Sequence, residues 1–166
     1  LNTLRGHPLD KASLQTLARR LGADVPFFLQ GGPALGEGIG DRLTPISLPP
    51  VWLVLLNPGF PVSTAWVYGS LQPPFSPPPP EFTARVARDH PVHWLHNDLE
   101  AVTLSRYPEL KALKQALVRE GAAGALMSGS GPTVFGIFAD EAAAVQAASG
   151  LKTATGYWTA AVQGLG

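Results

Sequence analysis

Two short stretches of this chain carry groups that chemistry could use. Asp24 stands in Leu21-Gly22-Ala23-Asp24-Val25-Pro26-Phe27-Phe28, where one helix is expected to stop and a short apolar one to start. A lone carboxylate at such a junction can take the proton of a substrate hydroxyl, and it can equally cap the helix that follows. Ser128-Gly129-Ser130-Gly131-Pro132-Thr133 lies between two apolar runs, and its amides either form an anion-binding nest or simply turn the chain. His90, His93 and His96 recur every third residue beside Asp89 and Asp98, which raises the question of a metal. Pro91 interrupts the helix that would gather them and no second ligand cluster accompanies them, so solvated loop histidines are expected and no metal site. Nucleophile elbow, Walker loop and zincin helix are all missing from the sequence, which leaves covalent hydrolases and metalloproteases without their parts.

The elements that must position these groups can be read from periodicity and punctuation. Asp10 is placed to cap a helix with Leu14, Leu17, Ala18 and Leu21 at helical spacing and Gly22 at its stop; Asp24 is expected to cap the next, short helix. Ala34 to Glu37 and Asp41 to Ile46 flank Gly38-Ile39-Gly40, a glycine-turn hairpin that is also a weak phosphate signal. Trp52 to Leu56 reads as a buried strand ending at the turn Asn57-Pro58-Gly59, with Ser63 or Thr64 capping a helix over 65–71. The proline run from Pro73 through Pro80 must be an extended surface connection, with a proline-motif docking site as the sharper alternative. Asn97-Asp98 is expected to cap a helix from Leu99, and Pro108 to open another that carries Leu110, Leu113, Leu117 and Val118 toward a core and closes at Gly121. Strands over 123–128 and 133–139, a helix over 141–148 and a last strand over 156–162 complete the order strand, helix, strand, strand, helix, strand. That order predicts an α+β fold with a ferredoxin-like βαββαβ domain.

Composition narrows the function classes. Of 166 residues, 45% are hydrophobic, ample for a core, and 12 basic residues balance 12 acidic ones without blocks of like charge. A nucleic-acid or polybasic membrane binder lacks its electrostatic footprint here, so a small-molecule or protein partner is expected. The chain has no cysteine, which removes disulfides, thiolate metal sites and a cysteine nucleophile and leaves the compartment open; the cytoplasm is the default expectation. Residues 121–139 carry no charge, yet five glycines, Pro132, Ser128 and Ser130 break the run, so two strands around a glycine turn fit better than a membrane span.

Leu21 to Phe28, followed by Ala34-Leu35-Gly36-Glu37-Gly38-Ile39-Gly40-Asp41, resembles the 4-diphosphocytidyl-2-C-methyl-D-erythritol kinase family of the GHMP small-molecule kinase superfamily. Pro58-Gly59 through Val62-Ser63-Thr64 to Tyr68, Asn97-Asp98-Leu99-Glu100, and Ser128 to Phe135 agree in order, the last resembling the third glycine motif of the superfamily. The resemblance implies a GHMP kinase fold: residues 1–47 as the tail of a ribosomal-protein-S5-like domain, 48–166 as the ferredoxin-like C-terminal domain, and a cleft between them. It implies transfer of the γ-phosphoryl group of ATP, carried with Mg2+, to the 2-hydroxyl of the cytidylylated methylerythritol. Asp24 becomes the catalytic aspartate, Gly129, Ser130 and Gly131 candidates for contact with phosphate or substrate, and Thr64 a candidate substrate contact that helix capping would also explain. The family's lysine and its glycine-rich phosphate loop are expected upstream of Leu1. Kinases of homoserine, mevalonate-type compounds or sugars, and a noncatalytic binding module, are the competing expectations; oligomeric state is not readable. Trp66 and the proline run depart from the family pattern.

Overall fold

The computed structural model describes residues 2–38, 40, 42–73 and 91–164. It forms two compact units, residues 1–49 with 165–166 and residues 50–164.

In the first unit, Asp10 accepts a hydrogen bond from the Ser13 amide at 2.8 Å and starts α1, Lys11–Leu21, which stops at Gly22. The hydrogen bonds from Ser13 hold the Asp10 carboxyl below its usual pKa. Ala18 is buried, whereas Leu21 is 78% exposed. A 3-10 turn, Val25–Leu29, follows. β1, Ala34–Glu37, then pairs antiparallel with β2, Arg42–Pro45, with Glu37 opposite Arg42. The expected glycine-turn hairpin is thus present with slightly shorter strands, and Ile39 and Asp41 lie outside the described residues.

The second unit is built on four strands: β3, Trp52–Asn57; β4, Gly124–Met127; β5, Val134–Phe138; and β6, Trp158–Gln163. Their order in the sheet is β4-β5-β3-β6 and every neighbouring pair is antiparallel. This is the ferredoxin-like arrangement, with the first and third strands of the unit central. Four helices accompany it among the described residues: α2, Thr64–Ser70; α3, Leu99–Arg106; α4, Pro108–Arg119; and α5, Glu141–Thr155. α4 packs on β4 and β5, and α5 on β3 and β6. Leu110, Leu113 and Leu117 of α4 and Ala144, Ala147, Ala148 and Leu151 of α5 meet Val54 and Leu56 of β3 in one buried cluster. Burial of such side chains is the main force holding the unit together.

Space dictates one glycine of the sheet. A Cβ at Gly136, in the middle of β5, would stand 2.9 Å from the Ala122 Cβ and 3.3 Å from the Leu117 Cβ, so the absence of a side chain lets the chain entering β4 and helix α4 close onto the sheet.

The structure corrects two expectations and accounts for a third residue. Val118 does not face the core: it is 52% exposed, because the buried stripe of α4 runs through positions 110, 113 and 117, and 118 lies about 100° further round. α5 runs to Thr155, well past Ala148, since Gly150 is tolerated where its neighbours Ala148 and Leu151 pack, and the helix ends only at Gly156 in the left-handed conformation. Trp66 is accounted for by packing: it is partly buried against the core, edge-on to Tyr107 at 6.4 Å, with the Arg106 guanidinium 5.1 Å from its ring centre. Most of the proline run, residues 74–80, and His90 lie outside the described residues. No helix among the described residues is long and apolar enough to cross a membrane.

Candidate functional site

Asp24 occupies the position before the 3-10 turn, but its side chain does not cap it. Its backbone is already helical, φ −83° and ψ −17°, rather than in the extended conformation from which a cap side chain reaches back. The expected capping role is therefore corrected, and among the described residues nothing hydrogen-bonds or pairs with this carboxylate. Asp24 instead lines a pocket of about 370 Å³ with Phe27, Phe28, Ala34, Gly36, Gly40 and Leu43. A Cβ at Gly40 would stand 3.7 Å from Asp24 Oδ1, and Gly40 has φ +92°, a conformation that disfavours any side chain. Gly40 sets no side chain of its own against the carboxylate, while Phe27 and Phe28, edge to face at 5.8 Å, line the same pocket with apolar surface. An uncommitted carboxylate beside an apolar wall can accept a proton from, and orient, a hydroxyl that enters the pocket.

In the second unit, the loop from Ser128 to Thr133 joins β4 to β5 and is tied down on several sides. Asn57 Nδ2 donates to Thr133 Oγ1 at 2.8 Å, Thr64 Oγ1 shares a hydrogen bond with Ser130 Oγ at 2.9 Å, and the buried Thr103 hydroxyl donates to Ser130 O at 3.2 Å. Asn97 Nδ2 donates to Met127 O at 2.9 Å and to Gly129 O at 2.8 Å, while its Oδ1 accepts from the Leu99 amide at 3.0 Å. The helix start that was expected from Asn97-Asp98 is thus served by Asn97; the Asp98 side chain caps nothing and bonds His96 Nε2 at 2.8 Å. Gly131, φ +87°, admits no side chain, for its Cβ would lie 2.8 Å from Met127 Sδ.

Inside the loop, Ser128 N–H donates to Thr133 O and Gly131 N–H to Ser128 O, both at 2.9 Å. The carbonyls of Met127, Ser128, Gly129 and Ser130 are therefore all engaged. Among the described residues, the amides of Gly129 and Ser130 donate to no acceptor. Two successive unengaged N–H groups whose own and preceding carbonyls are engaged form a donor pair suited to an anion.

The Ser63–Thr64 alternative resolves cleanly. Ser63 Oγ accepts from the Trp66 amide and caps α2, which leaves the Thr64 hydroxyl to reach Ser130. Thr64, Gly129, Ser130 and Gly131 are thereby gathered at one end of the second unit. His93 and His96 join no cluster: among the described residues, no group of three His, Asp or Glu side chains could hold a metal ion.

Sequence reasoning missed a second anchor of this loop. Glu100 accepts from the Met127 amide at 2.7 Å and pairs with Lys114 Nζ at 2.6 Å, with only 17% and 19% of the two side chains exposed. Asn97, Glu100 and Thr103 lie three residues apart on α3 and its approach, so the signal was a row of polar residues along one helical face that turns inward.

The chain is similar to known proteins over almost its whole length. Residues 87–157 match the family of GHMP kinases C terminal. The 4-diphosphocytidyl-2-C-methyl-D-erythritol kinases of Geobacter metallireducens and Syntrophotalea carbinolica are 49% and 47% identical over 99% and 98% of this chain. The chain spans 59% of the length of each. A crystal structure of 4-(cytidine 5'-diphospho)-2C-methyl-D-erythritol kinase superposes with a TM-score of 0.83 at 38% identity, covering 100% of this chain and 61% of that one. A homoserine kinase from Cytophaga hutchinsonii, at 19% identity and a TM-score of 0.70, shares the fold. Residues 87–157 carry the GHMP kinase C-terminal domain, and by that match and by these relatives the chain is similar to GHMP kinases over the part of their length that it spans.

Proposed function

We propose that this chain is the part of a small-molecule kinase that supplies its catalytic carboxylate and one anion-binding loop, and that the reaction is ATP-dependent phosphorylation of the 2-hydroxyl of 4-(cytidine 5'-diphospho)-2-C-methyl-D-erythritol, a step toward isoprenoid precursors in the cytoplasm. The observation that carries the reading is the uncommitted Asp24 carboxylate over the bare glycine hairpin. The choice of alcohol rests on what the relatives at 47–49% identity are named. Residues 1–47 are read as the tail of a ribosomal-protein-S5-like domain.

Phosphoryl transfer passes through a loose transition state, so a base has little covalent work to do. Asp24 would accept a hydrogen bond from the hydroxyl, fix the direction of its lone pair toward phosphorus, and take the proton late, as the new oxygen–phosphorus bond forms. The Gly129 and Ser130 amides would donate to phosphate oxygens of nucleotide or substrate, and Thr64 would hold the loop through Ser130 while presenting its own oxygen to substrate. Nucleotide-bound Mg2+ would neutralise phosphate charge; the described residues offer it no ligand cluster.

ADP release by the full-length protein, given the diphosphocytidyl alcohol and in parallel homoserine and mevalonate, tests the reading. Turnover with the first alone is expected, with a fall of about 10²- to 10⁴-fold on Asp24→Asn. Undiminished turnover in that variant would remove Asp24 as the base, and turnover with another alcohol would overturn the substrate.

A further inference from the structure

We propose that Asn97 is the positioning residue of the anion-binding amide pair, an inference that rests on the reading of Gly129 and Ser130 given above. The reason is the geometry of a trans peptide, in which the C=O of one residue and the N–H of the next point in opposite directions in one plane. Gly129 O and Ser130 N–H share a peptide. The 2.8 Å hydrogen bond from Asn97 Nδ2 to Gly129 O therefore aims the Ser130 N–H away from Asn97. The preceding peptide is set in the same manner, because Ser128 O accepts from Gly131 N–H and so directs the Gly129 N–H.

The same carboxamide does two further things. Its second Nδ2 hydrogen takes Met127 O at 2.9 Å, and its Oδ1 takes the Leu99 amide at 3.0 Å, so three of its four hydrogen-bonding positions are in use and the ring of contacts leaves the group no freedom to rotate. Asn97 thereby ties the peptide that presents Ser130 N–H to the first turn of α3, which is itself packed in the core through Leu99 and Thr103. Released from Asn97, Gly129 O can rotate to the side where an anion would sit, and a carbonyl there repels it. Pre-aiming the dipole removes that alternative before the ligand arrives.

Asn97→Asp separates this role from simple capping. Aspartate accepts from the Leu99 amide as well as asparagine does, so a residue that only caps α3 would be unaffected. It cannot donate, and it sets a carboxylate against two carbonyl oxygens. The experiment is titration of the 15N-labelled 166-residue chain with inorganic pyrophosphate, following the Gly129 and Ser130 amide resonances, together with thermal melts. In the unaltered chain both resonances are expected to move saturably. In Asn97→Asp the Ser130 resonance is displaced before any ligand is added and pyrophosphate affinity falls about tenfold, the loss that one misaligned hydrogen bond to a charged group produces. Asn97→Ser, which keeps a capping oxygen but is too short to reach Gly129, is expected to show the same loss, and it decides the matter if the aspartate variant does not fold. Pyrophosphate binding and Ser130 resonances unchanged in the folded variants would overturn the role of Asn97 alone. Gly129 and Ser130 resonances that ignore pyrophosphate in the unaltered chain would overturn the anion-binding reading itself, and this inference with it.

Discussion

Asp24, the proposed base, differs from its structural double Asp10 in what its side chain holds. Asp10 and Asp24 both precede helical turns, yet Asp10 is extended and its side chain bonds the Ser13 amide, whereas Asp24 is already helical and its side chain bonds nothing in its turn. A carboxylate that supports no local structure is free for a substrate. Asp24→Asn is accordingly expected to leave the thermal midpoint of the chain within the range of a neutral surface substitution, about 0.5 kcal/mol, while it removes turnover. A differential melt of the two proteins checks this. A large loss of stability would mean that the carboxylate has a structural partner after all.

At the scale of elements, α3 works as a handle on the loop between β4 and β5. Asn97, Glu100 and Thr103 each hold a backbone atom of residues 127–130. Glu100→Ala would leave both Lys114 and the Met127 amide without their acceptor in a largely buried setting, and a loss of about 2 to 3 kcal/mol is expected in urea unfolding. Glu100→Gln keeps an acceptor for Met127 and should cost less. Equal losses would show that the charge on Glu100, not the hydrogen bond, anchors the loop. Gly136→Ala tests the neighbouring close approach: a methyl group between β5 and Ala122 overpacks the core, and a loss of about 1 to 3 kcal/mol is expected from the same measurement.

At the scale of the whole molecule, the two units differ in how much they bury. In residues 2–38 and 40 of the first unit, only Ala18 and Pro26 are buried, and Phe28 is 78% exposed, whereas the second unit encloses a continuous cluster from Val54 to Leu151. Since apolar burial drives cooperative folding, residues 50–164 expressed alone are expected to unfold in one transition with the urea midpoint that the chain itself shows for that unit. Hydrogen exchange should find the amides of β3 and β5 the slowest and those of α1 much faster. A midpoint that drops when residues 1–49 are removed would show that the first unit stabilises the second.

The sequence by itself determined the order of the elements, the hairpin, the caps at Asp10 and the turn at Asn57, because these depend on neighbours within a few residues: a side-chain oxygen reaching an amide three residues on, a glycine where a turn is needed, an apolar stripe with a fixed period. The segments around Asp24 and Ser128 to Thr133 were legible for the same reason, as short blocks of unusual composition, and they pointed to the GHMP kinases. Only the tertiary structure decided between roles that local sequence leaves equal. Ser63 rather than Thr64 caps α2 because Ser130, 66 positions further along the chain from Thr64, takes the other hydroxyl. Asn97 read only as a helix start, and Glu100 had no contact to read, until β4 is laid beside them, and Val118 read as core until the sheet showed which side of α4 it covers. Those contacts join residues far apart in sequence, and no periodicity along one segment carries the position of another.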